Sequence, residues 1–184
     1  MEPFEYEIKQ RAHLIKIDPE TCARAGLLIN SRKLGGGAYG TVWTTDNPHF
    51  VVKMTSSNVE AINVRKILRQ HITGVVFYDS IDTIKVNDEE FYDYTHLIRM
   101  EKLNTPPEWI HELSARYGMP GKLKSQKQKR ARWEHSKSKE ERRFFQQIEF
   151  AWLMLKKMGV IHRDVHTGNI MCDKDGKFKL IDAM

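Results

Sequence analysis

Four of the six residues from Gly35 to Gly40 are glycine, in the order Gly35-Gly36-Gly37-Ala38-Tyr39-Gly40. The residues on either side decide what such a run can build. Leu27-Leu28-Ile29 through Leu34 reads as a strand leading in, and Thr41-Val42-Trp43-Thr44 is β-branched and aromatic, hence a strand leading out. Asp46-Asn47-Pro48-His49 then makes a turn, and Phe50-Val51-Val52-Lys53-Met54 a returning strand. Gly35, Gly37, Gly40 and Val42 fit the spacing G-x-G-x-x-G-x-V. Glycine suits a backbone that must approach phosphate oxygens closely, where a Cβ would block the approach. A G-x-G-x-x-G turn also occurs in dinucleotide-binding folds, but there it opens a helix. Here a strand follows, so a glycine-tipped hairpin is expected.

The 184 residues, 40% of them hydrophobic, suffice for one ordinary domain or two small lobes. No run of 18 apolar residues is present, so no membrane span is expected, and the acidic start Met1-Glu2-Pro3-Phe4-Glu5 is not a secretory leader. Cys22 and Cys172 are the only cysteines, which excludes a disulfide framework and fits idle, buried thiols in a reducing cytoplasm. The formal charge of +6 is concentrated. Between Lys122 and Arg143 ten basic residues face three acidic ones, a segment of +7, which leaves −1 for all the others. The segment 119–138, and Lys122 to Arg132 within it, is thus a basic linker that could dock an acidic partner, contact nucleic acid or stay solvated.

In order along the chain, residues 1–26 form a lead-in. Phe4, Ile8, Ala12 and Ile15 have near-helical spacing, and Pro19-Glu20-Thr21 opens a short helix expected to pack on a lobe. A helix from Ser57 to Gln70 turns Val59, Ile62, Ile67 and Leu68 inward, and Ser57-x-x-Glu60 has the form of a capping box. Thr73–Tyr78, Ile81–Val86 and Tyr94–Met100 are strand-like, with Asn87-Asp88-Glu89-Glu90 as a turn. Glu108–Tyr117 is a helix stopped by Gly118. A long amphipathic helix from Lys139 to Met158 buries Phe144, Phe145, Ile148, Ala151, Trp152, Leu155 and Met158 before Gly159 ends it.

The residues with chemistry cluster last, in His162-Arg163-Asp164-Val165-His166-Thr167-Gly168-Asn169 and Leu180-Ile181-Asp182. Asp164 can orient a hydroxyl and take its proton. Asn169, five positions on, and Asp182, thirteen further, can hold Mg²⁺ against nucleotide phosphates. Lys174-Asp175-Gly176-Lys177 is a hairpin turn that returns Asp182 to Asn169.

The glycine hairpin, Lys53, His162–Asn169 and Asp182, in that order, resemble the protein-kinase superfamily over residues 27–182. In the catalytic loop, Asp-x-His-x-Gly-Asn-Ile-Met is similar to short phage protein kinases of the T7 type and to aminoglycoside phosphotransferases. The resemblance implies an α+β, two-lobe fold: a five-stranded N-terminal lobe over 27–104 and a minimal helical C-terminal lobe over 105–184, with the catalytic loop at 162–169. It implies that Gly35, Gly36, Gly37, Ala38, Tyr39, Gly40, Val42 and Lys53 form the ATP site, with Gly35 to Gly40 and Lys53 holding the phosphates. Glu60 would pair with Lys53, and backbone at Glu101 and Leu103 would face the adenine. It further implies Asp164 as catalytic base, Asn169 and Asp182 as Mg²⁺ ligands, and His162 packed beneath the loop.

Two departures stand out. His166 occupies the place of a lysine that stabilises the transferred phosphoryl group, a role a protonated imidazole fills in part. Asp182 is followed by Ala183-Met184 instead of Phe-Gly, which implies either a naturally minimal kinase fold or a product cut short of a full C-terminal lobe, with the long helix uncovered around Phe145 and Trp152 and a partner chain or self-association as one way to cover it. The function implied is transfer of phosphate from ATP to Ser or Thr of a protein, a host protein if a phage encodes the chain. A small-molecule kinase and a nucleotide-binding regulator acting through the basic linker are the alternatives.

Overall fold

The computed structural model describes residues 4–10, 13–17, 19–27, 31–37, 40–87, 92–117 and 138–183. Ala38, Tyr39, Leu28-Ile29-Asn30, the turn residues 88–90 and nearly all of the basic linker (119–137) lie outside the described residues. The protein is α+β, and it divides into two compact units, Met1–Gln70 with Phe77–Lys102, and His71–Val76 with Leu103–Met184. Of the strand expected over Thr73–Tyr78, residues 73–76 belong instead to the second unit, within its segment His71–Val76.

In the first unit, Phe4–Gln10 (β1) and His13–Ile17 (β2) are antiparallel strands and not helix. The alternation of Phe4, Tyr6 and Ile8 with Glu5, Glu7 and Lys9 is the period-two pattern of a strand. Pro19–Ala25 (α1) is the short helix expected. It contributes Cys22 and Ala25, and with Leu27 these join Val52, Met54 and Leu97 in a fully buried cluster edged by Trp43 and Ile84.

The sheet of this unit is antiparallel and five-stranded. Its strands are Lys33–Gly37 (β3), Gly40–Thr44 (β4), Phe50–Thr55 (β5), Tyr78–Asn87 (β6) and Tyr92–Glu101 (β7), in the order β3-β4-β5-β7-β6. β3 starts at Lys33 and takes in Gly35 to Gly37, and Gly40 opens β4 opposite Gly37, so all four glycines lie in the ladder itself. β5 lies between β4 and β7 and is buried from Val51 to Thr55. Gly40 has a structural reason to lack a side chain, because a Cβ there would collide with the carbonyl oxygen of Met54 on β5.

Asn58–Ile67 (α2) ends three residues earlier than expected and is rotated. Its buried residues are Glu60, Ala61, Asn63, Val64 and Ile67, whereas Val59 and Ile62 are 60% and 54% exposed. The polar contacts of Glu60 and of Asn58, set out below, override the apolar periodicity and fix which side faces inward.

In the second unit, Lys139–Lys157 (α4) starts at a full capping box. Ser138 Oγ accepts from the Glu141 amide at 3.0 Å, and Glu141 Oε2 accepts from the Ser138 amide at 3.2 Å. Gly159, at φ +73°, stops it. Phe144, Phe145, Ile148, Ala151 and Leu155 form its buried face, as their spacing predicts. Phe145 is therefore covered, and the large apolar side chains that α4 exposes are Phe150 and Leu153.

Trp109, on Trp109–Tyr117 (α3), meets Phe144 and Phe178 edge-on at 5.8 and 6.0 Å, and Phe144 meets Phe178 at 5.0 Å. Phe178 opens the second strand of a hairpin formed by Ile170–Cys172 (β8) and Phe178–Leu180 (β9). Two extended pieces flank the hairpin. Asn104 exchanges both backbone bonds with Cys172, at 2.7 and 2.9 Å, and Val75 bridges Leu180 in parallel. Gly74 lies so close to α4 that a Cβ would stand 2.9 Å from that of Ala151. Cys22 and Cys172 are buried free thiols. Among the described residues no helix is long and apolar enough to cross a membrane.

Phe144 joins the aromatic contacts of α3, α4 and β9. Phe144→Ala should lower the unfolding free energy by about 3–5 kcal/mol in urea denaturation, and a change below about 1 kcal/mol would show that the cluster does not hold the unit together.

Candidate active site

Pairing register arranges the residues of the first unit. Gly35 lies opposite Val42, Val42 opposite Lys53, and Lys53 opposite Ile98, so these form one row across four strands. Directly opposed residues point to the same face, and neighbours along a strand to opposite faces. Lys53 therefore faces away from the cluster that holds Val52 and Met54. On a central strand it is 6% exposed, unlike a solvated edge lysine. Its Nζ donates to Glu60 Oε1 at 2.9 Å, and Glu60 is 1% exposed. Ser57 Oγ caps α2 by accepting from the Glu60 amide at 3.2 Å, while the Ser57 amide donates to Thr55 Oγ1 at 3.2 Å. Half of the expected capping box is thus present, and the Glu60 side chain forms an ion pair with Lys53.

A polar chain that sequence reasoning missed holds the start of α2. Arg65 Nη2 donates to Thr83 Oγ1 at 2.6 Å, and the Thr83 hydroxyl donates to His96 Nδ1 at 2.9 Å. His96 Nε2 in turn donates to Asn58 Oδ1 at 2.8 Å, two residues before Glu60. Burial, aided by the Arg65 charge, lowers the His96 pKa, so the imidazole stays neutral as this chain of donors requires. No motif marks these residues. The one signal is a histidine within a strand-like run, and it has many ordinary explanations.

Of the residues expected to face an adenine, Glu101 donates its amide to Phe77 O at 2.9 Å and accepts the Phe77 amide on Oε1 at 3.0 Å. The Lys102 amide donates to His49 O at 2.8 Å. Sheet contacts therefore occupy the amides of Glu101 and Lys102, and Leu103 belongs to the second unit. No Cβ contact within 4 Å would meet a side chain at Gly35, so packing among the described residues does not demand glycine there. Ala38 and Tyr39, at the hairpin tip, lie outside the described residues.

In the second unit, hydrogen bonds join Asp164, His166 and Asn169, and a backbone bond ties the residue before Asp182 to Asn169. Buried Asn169 donates Nδ2 to Asp164 O at 2.9 Å and, less closely, to Asp164 Oδ2 at 3.4 Å. Because its NH₂ group is engaged there, the amide orientation is set and Oδ1 is the atom left to face a cation. The Ile181 amide donates to Asn169 O at 3.0 Å, which brings the residue before Asp182 to Asn169, as the hairpin turn led one to expect. Asp182 has φ +56°, a left-handed conformation costly for most side chains and best tolerated by Asp and Asn. Ala183 is buried.

His162 lies beneath the loop. Its Nε2 donates to Ile181 O at 2.8 Å, so both backbone groups of Ile181 are held by the loop. Trp152 Nε1 donates to His162 O at 3.2 Å, so Trp152, only half-buried, serves the loop as well as the helix. Burial lowers the His162 pKa against the Ile181 carbonyl and the charges of Asp182 and Asp164, which raise it. His166 Nε2 lies 3.1 Å from Asp164 Oδ2, and its Nδ1 accepts from the Gly168 amide at 3.0 Å. Arg163 is exposed.

Neither the models of known protein families nor the curated proteins compared with this chain include a match to it.

Glu60→Ala should lower the unfolding free energy by about 3–5 kcal/mol, because it removes the carboxylate that pairs with the buried Lys53 ammonium group. The double variant Lys53→Met/Glu60→Leu should recover most of that loss, and an equal or greater loss in the double variant would show that packing and not charge is at stake. The histidines predict a pH dependence. Both have folded pKa values below the ordinary 6.5, so the unfolded chain binds more protons once the pH falls below that value. Their contribution is intact above pH 6.5 and is lost as the pH falls from there towards the lowered values, with a slope of up to about 1.4 kcal/mol per pH unit for each. Unfolding measured from pH 7.5 downward should show this slope, and His162→Gln should remove its share.

Proposed function

We propose that the chain is an ATP- and Mg²⁺-dependent phosphotransferase, a serine/threonine protein kinase, with the first unit holding the nucleotide and the second carrying the catalytic residues. The observation that carries this reading is the hydrogen-bonded set in which Asn169 holds Asp164 and Ile181 returns Asp182 to Asn169. A carboxylate held by its neighbours, beside an oriented amide oxygen and a second carboxylate, is what transfer to a hydroxyl requires.

The donor set suits the metal. Asn169 Oδ1 and the Asp182 carboxylate are hard oxygen ligands, and Mg²⁺ is ordinarily held by one or two such groups together with substrate phosphates. When bound, Mg²⁺ would neutralise charge on the phosphates. On this reading Lys53, kept in place by Glu60, contacts phosphate oxygens, and the glycine hairpin brings backbone amides to them. Asp164 orients the acceptor hydroxyl and accepts its proton as the oxygen attacks the γ-phosphorus and the bond from that phosphorus to the departing ADP oxygen breaks.

Incubation with γ-labelled ATP, Mg²⁺ and a bacterial lysate tests this. Label should enter protein, and Asp164→Ala should reduce it by about 10²–10⁴-fold. Label confined to small molecules would move the acceptor to that class, and nucleotide binding with no transfer to any acceptor would sink the reading.

A further inference from the structure

Both nitrogens of the His166 ring are engaged within the loop itself. Nδ1 accepts from the Gly168 amide at 3.0 Å, so it carries no proton in this geometry. The proton is then on Nε2, which lies 3.1 Å from Asp164 Oδ2 and donates to it. The ring can sit this way because residue 168 is glycine: a Cβ there would stand 2.7 Å from Cε1 and 3.0 Å from Nδ1 of the imidazole. His166 also starts the turn Thr167–Asn169 and accepts the Asn169 amide on its carbonyl at 3.0 Å. The ring is therefore fixed to the backbone it helps to shape.

From this geometry we infer that His166 is a positioning residue for Asp164, with Nε2–H fixing the rotation of the carboxylate, and is not a cationic phosphate contact in place of lysine. Asn169 Nδ2 approaches the same oxygen at 3.4 Å, so two donors converge on Oδ2 and define which way the carboxylate plane turns. A neutral imidazole with Nε2–H on Asp164 and its Nδ1 lone pair on Gly168 offers no N–H to a phosphoryl oxygen. The inference rests on the phosphotransferase reading above.

Three substitutions separate the roles. His166→Gln places an amide donor near the position of Nε2, His166→Asn keeps an acceptor near the position of Nδ1 but cannot reach Asp164, and His166→Lys restores a cation. If His166 positions Asp164, the Gln variant keeps kcat within about tenfold of the wild type. The Asn and Lys variants lose about 10²-fold, the scale set by misplacing a catalytic group, with KM for ATP unchanged. A Lys variant more active than the Gln variant overturns the positioning role and leaves the kinase reading intact, whereas absence of transfer by the wild-type chain overturns the kinase reading and this inference with it. Thermal unfolding of each variant identifies any that fail to fold. Nitrogen-15 NMR of the wild-type imidazole, at neutral pH, gives a reading independent of turnover. A neutral ring protonated at Nε2 is expected, and one protonated at Nδ1 or at both nitrogens overturns the assignment.

Discussion

Removing a lysine and a glutamate from water costs several kcal/mol for each ion, and only close mutual contact offsets it. The first unit meets that demand at Lys53 and Glu60, 2.9 Å apart, and much of its structure follows from the pairing. β5 must be central, so that sheet and helices shield the lysine stem. α2 must present Glu60 inward, which turns Val59 and Ile62 to solvent against the preference of their side chains. The start of the helix is then tied to the sheet by the chain from Arg65 through Thr83 and His96 to Asn58. A unit built only for stability gains little from this arrangement, since apolar residues of similar size usually serve as well. What the pair does provide is a fixed position for the Lys53 Nζ, 2.9 Å from Glu60 Oε1.

The second unit applies the same physics to the backbone. Ile181 is held from both sides, its amide by Asn169 and its carbonyl by His162. That leaves Asp182 with little choice of conformation and makes its left-handed φ tolerable. Trp152 reaches the loop from α4 through His162 O, so the helix supplies a hydrogen bond as well as apolar surface. The neutral His162 suits this role, because a charged ring would bring an ion into a buried position.

Features encoded by local order were legible in the sequence. The glycine hairpin, the long helix with Gly159 at its end, and the turn that returns Asp182 to Asn169 depend on residues close together in the chain. What escaped depended on distant partners or on competing periods. Phe4, Ile8 and Ala12 match a helical step, yet the strict alternation from Phe4 to Lys9 was the stronger signal, and β1 follows it. The rotation of α2 was hidden because counting apolar residues assigns Glu60 to solvent, and only its pairing with Lys53 reverses that. His96 and the Nδ1–Gly168 contact of His166 carry no signature in residue type or spacing.

The short segment 71–76 has a consequence for how the chain can be divided. Its Gly74 and Val76 bond to Leu180 on both sides, the Gly74 carbonyl accepting at 2.8 Å and the Val76 amide donating at 3.0 Å. The second unit thus borrows six residues from within the sequence of the first. A gene cut after residue 102 would not release it whole, because residues 103–184 alone would leave one side of β9 without its backbone partner. The unit is continuous in space and discontinuous along the chain, so neither unit is a segment that recombination could move in one piece.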